Sequence, residues 1–224
     1  MSSNLQLPTA AGVHDVTLAL DGLSVKATMQ IPAAPRDAPL VLVLHYGGTP
    51  QGFYGRPLLE DLFAPAWHTL GAVIVAPVSQ GGDWTTPANT EAVLRLLAAV
   101  EANYGCDRQR RVVAGYSLGA IGSWHLIGQV PEYFSAAVPL AGRAPSALPP
   151  TQTQTPCYVL HSHADQLFPA SEVQLRLTEM TENGREVHSQ FLSGVGHFDF
   201  GAYREALESI AAWLPLVWSR STPN

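Results

Sequence analysis

Residues 112–130 read VVAGYSLGAIGSWHLIGQV. Val112–Ala114 belongs to a branched apolar run of the kind found in strands buried on both faces, and AIGSWHLIGQV reads as a helix. Between them stands Gly115-Tyr116-Ser117-Leu118-Gly119, a G-x-S-x-G placed at a strand-to-helix turn. A serine on so tight a turn takes a strained backbone conformation that only small neighbours permit, which is what Gly115 and Gly119 supply. Its hydroxyl then projects at the carboxyl edge of a sheet, against the positive end of the new helix.

Working outward, similar apolar runs occur at Leu40–Leu44 (LVLVL), Ala72–Ala76 (AVIVA), Ala136–Leu140, Tyr158–Leu160 and Val187–Leu192. Helical patterns lie between them. One places Val93, Leu97, Val100 and Tyr104 on a single stripe, with Thr86 and Pro87 suited to its N-cap and first position. A second opens at Pro169 and aligns Val173, Leu177 and Met180. The last carries Tyr203, Leu207, Ile210 and Leu214 and is expected to stop at Pro215. Ahead of all these, Val13–Leu20 and Leu23–Ile31 alternate around Asp21-Gly22, a hairpin signal. Strands alternating with helices predict an α/β fold: a mostly parallel central sheet, an N-terminal antiparallel hairpin, and helices on both faces. Chemistry is then sought at the carboxyl ends of the strands.

The chain has 224 residues, 46% of them hydrophobic and 13% charged. This length holds a full core without staples and predicts one domain over residues 1–224. Nineteen glycines and 18 prolines punctuate the joints between short elements. A net charge of −6 without any basic run excludes counterion-driven nucleic-acid binding. The first residues, MSSNLQLPTAAGVHDV, have no basic and apolar signal pattern, and no later stretch reaches 18 apolar residues. A soluble cytoplasmic protein without a membrane partner is the expectation. Cys106 and Cys157 are too few for a disulfide framework.

A serine nucleophile needs a general base beside it and a carboxylate behind that base. Eight histidines compete. His197 lies in Ser193-Gly194-Val195-Gly196-His197-Phe198, a glycine-rich loop after the last strand, where an imidazole can reach over the sheet edge. His14, His68, His125 and His188 fall inside strand or helix patterns, and His45 is better placed to shape the loop it begins. Asp165 follows the strand around Tyr158–His163, giving the chain order Ser117, Asp165, His197, one of the known orders of such a triad; Asp199 is a weaker rival. His161 and His163 could share a face as metal ligands, but no third ligand pattern accompanies them, so neither a metal nor a cofactor is expected. For the oxyanion, Leu118 offers the amide after the nucleophile. The loop His45-Tyr46-Gly47-Gly48 offers a second, at Gly47 or else Tyr46. Tyr46, Trp84, Phe168 and Phe198 lie in loops near the strand ends and are candidate walls of a substrate pocket.

The segments HYGG, GYSLG, HSHAD and GVGHF, in this order and spacing, resemble the α/β-hydrolase superfamily over about Leu40–Leu214. Within it, Asp107–Gly142 is similar to small esterases of the phospholipase/carboxylesterase, dienelactone-hydrolase and feruloyl-esterase-like groups. The similarity includes Gly122-Ser123-Trp124 after the nucleophile and the Pro-x-x-Phe of Pro131–Phe134. Tyr46 stands where many of these relatives have glycine, and Ser117 stands where dienelactone hydrolases proper usually have cysteine. The resemblance implies an α/β-hydrolase fold and a Ser-His-Asp enzyme acting on small-molecule carboxylic esters. The alternatives are the same triad used as an acyltransferase or peptidase, or a non-catalytic binding protein on this fold. The segment between Ala141 and Tyr158 is too short for the helical cap of larger relatives, which predicts an open cleft suited to short-chain or exposed esters.

Overall fold

A computed structural model describes residues 7–146 and 154–220. The strands are β1 (Gly12–Leu20), β2 (Leu23–Ile31), β3 (Leu40–Leu44), β4 (Val73–Pro77), β5 (Arg111–Tyr116), β6 (Ala136–Leu140), β7 (Cys157–Ser162) and β8 (Val187–Leu192). They form one eight-stranded sheet in the order β1-β2-β4-β3-β5-β6-β7-β8. β1 pairs antiparallel with β2, and β2 antiparallel with β4; every later pairing is parallel. The Asp21-Gly22 hairpin and the parallel centre match the reading of the sequence.

The central strands are continuous apolar runs because both their faces are covered. Leu40, Leu42 and Leu44 enter one core, with residues of α3 (Pro87–Tyr104), α4 (Leu118–Gln129) and α5 (Ala170–Glu182). Val41 and Val43 enter the other, against α1 (Arg56–Leu58), α2 (Ala64–Ala66) and α6 (Arg204–Arg220). α3 starts as expected: Asn89 N–H donates to the Thr86 Oγ1 cap at 3.3 Å, and Pro87 occupies the first turn. It ends on Gly105 at φ +67°, whose N–H returns to Glu101 O.

One stretch lies outside the elements read from the sequence, and one helix differs from expectation. The stretch after β3 forms α1, a π-helical turn Leu59–Phe63, and α2. Pro57 falls in the first turn of α1, where a missing N–H costs nothing, whereas Pro65 directly follows the π-helical turn within one unbroken helical stretch. The final helix runs through Pro215 to Arg220 instead of stopping there, and Tyr203 sits in the single 3₁₀ turn before it. An interior proline costs about 3 kcal/mol. Beyond it, buried Val217 alone contributes roughly 1.5–3 kcal/mol, and Trp218 adds still more area. Trp218 also donates its Nε1–H to Ser135 Oγ at 3.0 Å. Burial therefore outweighs the break.

No helix among the described residues is long and apolar enough to cross a membrane. The expected capless connection between β6 and β7 falls partly on residues 147–153, outside the described residues; its flanks, 141–146 and 154–156, contain no helix.

Candidate active site

Ser117 joins β5 to α4 at φ +57°, ψ −114°, a region that side chains avoid. Two glycines make room for it. A Cβ on Gly115 would strike the Gly119 carbonyl, and one on Gly119 would strike the Leu44 carbonyl, so β5, α4 and β3 close up only around bare backbone. The turn is pinned by Ser117 N–H donating to Leu140 O at 2.9 Å and by Ala120 N–H donating to Ser117 O at 3.0 Å.

The loops at the carboxyl ends of β7 and β8 bring the other two groups to this turn. Ser117 Oγ lies 2.9 Å from His197 Nε2, and His197 Nδ1 lies 2.8 Å from Asp165 Oδ2. With Nδ1–H donating to the carboxylate, Nε2 is left as an acceptor for the serine hydroxyl. The second oxygen, Asp165 Oδ1, accepts the N–H groups of Leu167 (2.9 Å) and Phe168 (2.8 Å). Asp165 and His197 are buried, whereas Ser117 is partly open. Asp199, the rival acid, is exposed, its backbone bonds Gly196 and Ala202, and both imidazole nitrogens are taken by Asp165 and Ser117.

The imidazole loop is fixed by side chains that sequence reading did not single out. Gln166 Oε1 accepts His197 N–H at 2.7 Å, and Tyr116 OH donates to His197 O at 2.7 Å. His161, fully buried in β7, donates Nε2–H to Phe168 O at 2.9 Å and so holds the acid loop from below. His163 is exposed and stacks on Phe191. Among the described residues no group of three His, Cys, Asp or Glu could hold a metal ion.

The loop after β3 is organised by His45. Its Nδ1–H donates to Tyr46 O at 2.7 Å, its Nε2 accepts Ser79 N–H at 3.2 Å, and its carbonyl accepts Trp84 Nε1–H at 2.8 Å. Burial holds the His45 ring below the usual histidine pKa, which suits an Nε2 acting as acceptor. Because the peptide is planar and trans, turning Tyr46 C=O onto His45 turns Gly47 N–H the opposite way, clear of the buried ring. Gly47 sits beside the nucleophile turn, where a Cβ would lie 3.8 Å from Leu118 Cδ2.

The candidate pocket aromatics separate. Phe168 and Phe198 both pack edge-on to His197, with ring centroids 5.5 and 5.3 Å away. Tyr46 is half-buried and stacks on Phe200. Trp84 does not line the opening. It is 2% exposed, locked between His45 and α4, and a Cβ on Gly122 would collide with it. Its loop position suggested exposure, but its indole N–H is committed to the His45 carbonyl, which makes it a support of the loop.

Solved structures of the same fold include a thermostable esterase, with TM-score 0.76 and 20% identity over 91% of this chain; the chain spans 62% of that protein's length. Another is the propionate-bound esterase Est2 of the planctomycete Thermogutta terrifontis, with TM-score 0.68 and 17% identity over 97% of this chain and 98% of that one. The same organism's esterase 2 phosphorylated by paraoxon gives TM-score 0.66 and 19% identity, covering 92% and 94%. No curated protein matches the sequence. The family model that matches is that of the dienelactone hydrolase family, over residues 80–220. The nucleophile turn, the acid loop and the His197 loop all lie inside that stretch, and the chain belongs to the dienelactone hydrolase family.

Proposed function

We propose that the protein is a serine carboxylic ester hydrolase working through Ser117, His197 and Asp165 and a covalent acyl-enzyme. The observation that carries this reading is the unbroken chain from Ser117 Oγ through both nitrogens of His197 to Asp165. Ser117 Oγ attacks the ester carbonyl carbon while its proton passes to His197 Nε2. Asp165 keeps the proton-bearing nitrogen at Nδ1 and stabilises the imidazolium that forms. The oxyanion is met by the N–H of Leu118 and the N–H of Gly47; losing one such donor costs roughly 3–4 kcal/mol of transition-state stabilisation. As the tetrahedral species collapses, His197 returns the proton to the departing alkoxide. Water, deprotonated by the same nitrogen, then attacks the acyl-enzyme and releases the acid.

Short acyl groups or exposed ester ends fit a site whose nucleophile is only partly buried. The single sheet with a core on each face supports reading the chain as one domain. The test is a folded Ser117→Ala variant, which is expected to lose turnover of p-nitrophenyl acetate. Paraoxon, which phosphorylates the Thermogutta esterase, is expected to add one diethylphosphoryl group to Ser117 of the unaltered protein. Normal turnover by Ser117→Ala would overturn the reading.

A further inference from the structure

A cleft of about 810 Å³ opens between α4 and α5, and one of its lining residues, Phe168, packs against the His197 ring. The lining includes Ile121, one helical turn past Ser117 in sequence, together with Leu167, Phe168 and Leu175. That volume lies within the roughly 300–1,000 Å³ of sites that enclose a whole small molecule. Among the described residues four large apolar side chains are exposed: Leu167 (52%), Leu175 (57%), Phe198 (79%) and Leu216. Two of them belong to the cleft. Leu167 and Leu175 line the cleft, and Phe198 is next to His197, on whose ring Phe168 also packs. Exposed apolar area gathered at a concave site, with polar residues around it, marks a surface that is covered in use. Of the charged residues in the lining, Arg143, Glu172 and Arg176, the last is paired with Glu179 at 2.7 Å.

The direction of proton transfer says which half of an ester reaches this cleft. His197 Nε2 must hand its proton to the leaving oxygen, so the alcohol half departs from beside the imidazole, where Phe168 and Phe198 stand. We infer that the α4–α5 cleft is the alcohol subsite and that it takes an uncharged, bulky apolar alcohol, aryl in the best case, with Leu175 as a specificity-determining residue. This deepens the esterase reading and rests on it. It also makes the large half of the substrate the alcohol, leaving the acyl group short.

Acetate esters isolate the effect, because every one of them forms the same acetyl-enzyme and differs only in its alcohol. Leu175 is exposed on α5 and makes no contact with the reacting groups, so Leu175→Gln and Leu175→Ala are expected to fold. The kcat/KM for 2-naphthyl acetate is expected to fall about 5–10-fold in Leu175→Gln while that for methyl acetate stays unchanged, the scale of losing apolar contact in a pocket. The fluorescence of 2-naphthol, titrated with Ser117→Ala protein, reads the same subsite without turnover, and its binding should weaken about 5–10-fold when Leu175→Gln is added. Equal losses on both esters, no loss on either, or 2-naphthol binding indifferent to Leu175 would each overturn the assignment. Turnover by Ser117→Ala alone would instead overturn the underlying esterase reading.

Discussion

Gln166 Oε1 accepts the backbone N–H of His197 at 2.7 Å, tying the imidazole loop to the residue next to Asp165. Tyr116, the residue before Ser117, holds the carbonyl of the same histidine at 2.7 Å. The backbone of His197 is thus fixed from the acid side and from the nucleophile side at once. The loop needs such clamps, since Gly194 and Gly196 give it little rigidity of its own. A Cβ on Gly196 would lie 3.0 Å from Gln166 Nε2, close enough that the amide would have to shift by a few tenths of an ångström.

Gln166→Leu keeps the side chain's size and removes the acceptor. A displacement of the imidazole below an ångström is enough to lower kcat about tenfold. KM should stay close to its starting value, while thermal stability falls modestly because the N–H of buried His197 loses its acceptor. Gln166→Glu retains an acceptor oxygen and should recover most of the loss. Steady-state kinetics with a melting curve decide it: a fall in stability with kcat intact would make Gln166 merely structural.

The nucleophile turn depends on bare backbone. Gly119→Ala places a methyl group into the Leu44 carbonyl, backbone that cannot yield without parting β3 from α4. The cost is expected to exceed about 3 kcal/mol, the range of severe overpacking. Gly201, where an added Cβ meets nothing, is the control, and Gly201→Ala should be nearly neutral in a urea titration.

Much of this was legible in the sequence for definite physical reasons. LVLVL had to be a central strand because five consecutive apolar residues need both faces covered, and GYSLG declared its turn through its glycines. Asp165 and His197 could be placed because each follows a strand in a loop. What escaped was information carried by side-chain direction. Trp84 looked like a pocket wall because it lies in a loop, but an indole N–H can be spent inward. Gln166 and Tyr116 had no motif, because a side chain that accepts or donates to one backbone group leaves no spacing pattern. Pro215 misled because a local helix penalty was read without the burial of Val217 and Trp218 beyond it.

Two buried histidines contribute to the acid response. Burial holds both His45 and His161 below the ordinary value of 6.5, so each ring takes up its proton at lower pH in the fold than in the unfolded chain. The unfolded state then binds more protons as pH falls, and stability rises with pH. Stability should be complete above about pH 6.5 and decline below it, by at most about 1.4 kcal/mol per pH unit for each ring. Urea midpoints at pH 8.0, 6.5 and 5.5 test this. A flat midpoint across that window would refute it, and His161→Gln, which keeps a donor for Phe168 O but does not titrate, should flatten part of the slope.

The indole of Trp84 links the core to the proposed oxyanion loop. Its Nε1–H satisfies the His45 carbonyl at 2.8 Å, His45 in turn fixes Tyr46 O, and Tyr46 O sets the orientation of Gly47 N–H. Trp84→Phe keeps an aromatic ring at 84 but leaves a buried carbonyl unpaired, which costs about 1–3 kcal/mol of stability. The same change frees the His45–Gly47 backbone, so kcat should fall along with stability, while an apolar change at exposed Phe198 alters neither by that route. The discriminating measurement is kcat at a temperature well below the melting point of Trp84→Phe. If stability drops and kcat does not, the loop holds its donor without the indole, and the coupling from Trp84 to Gly47 is wrong.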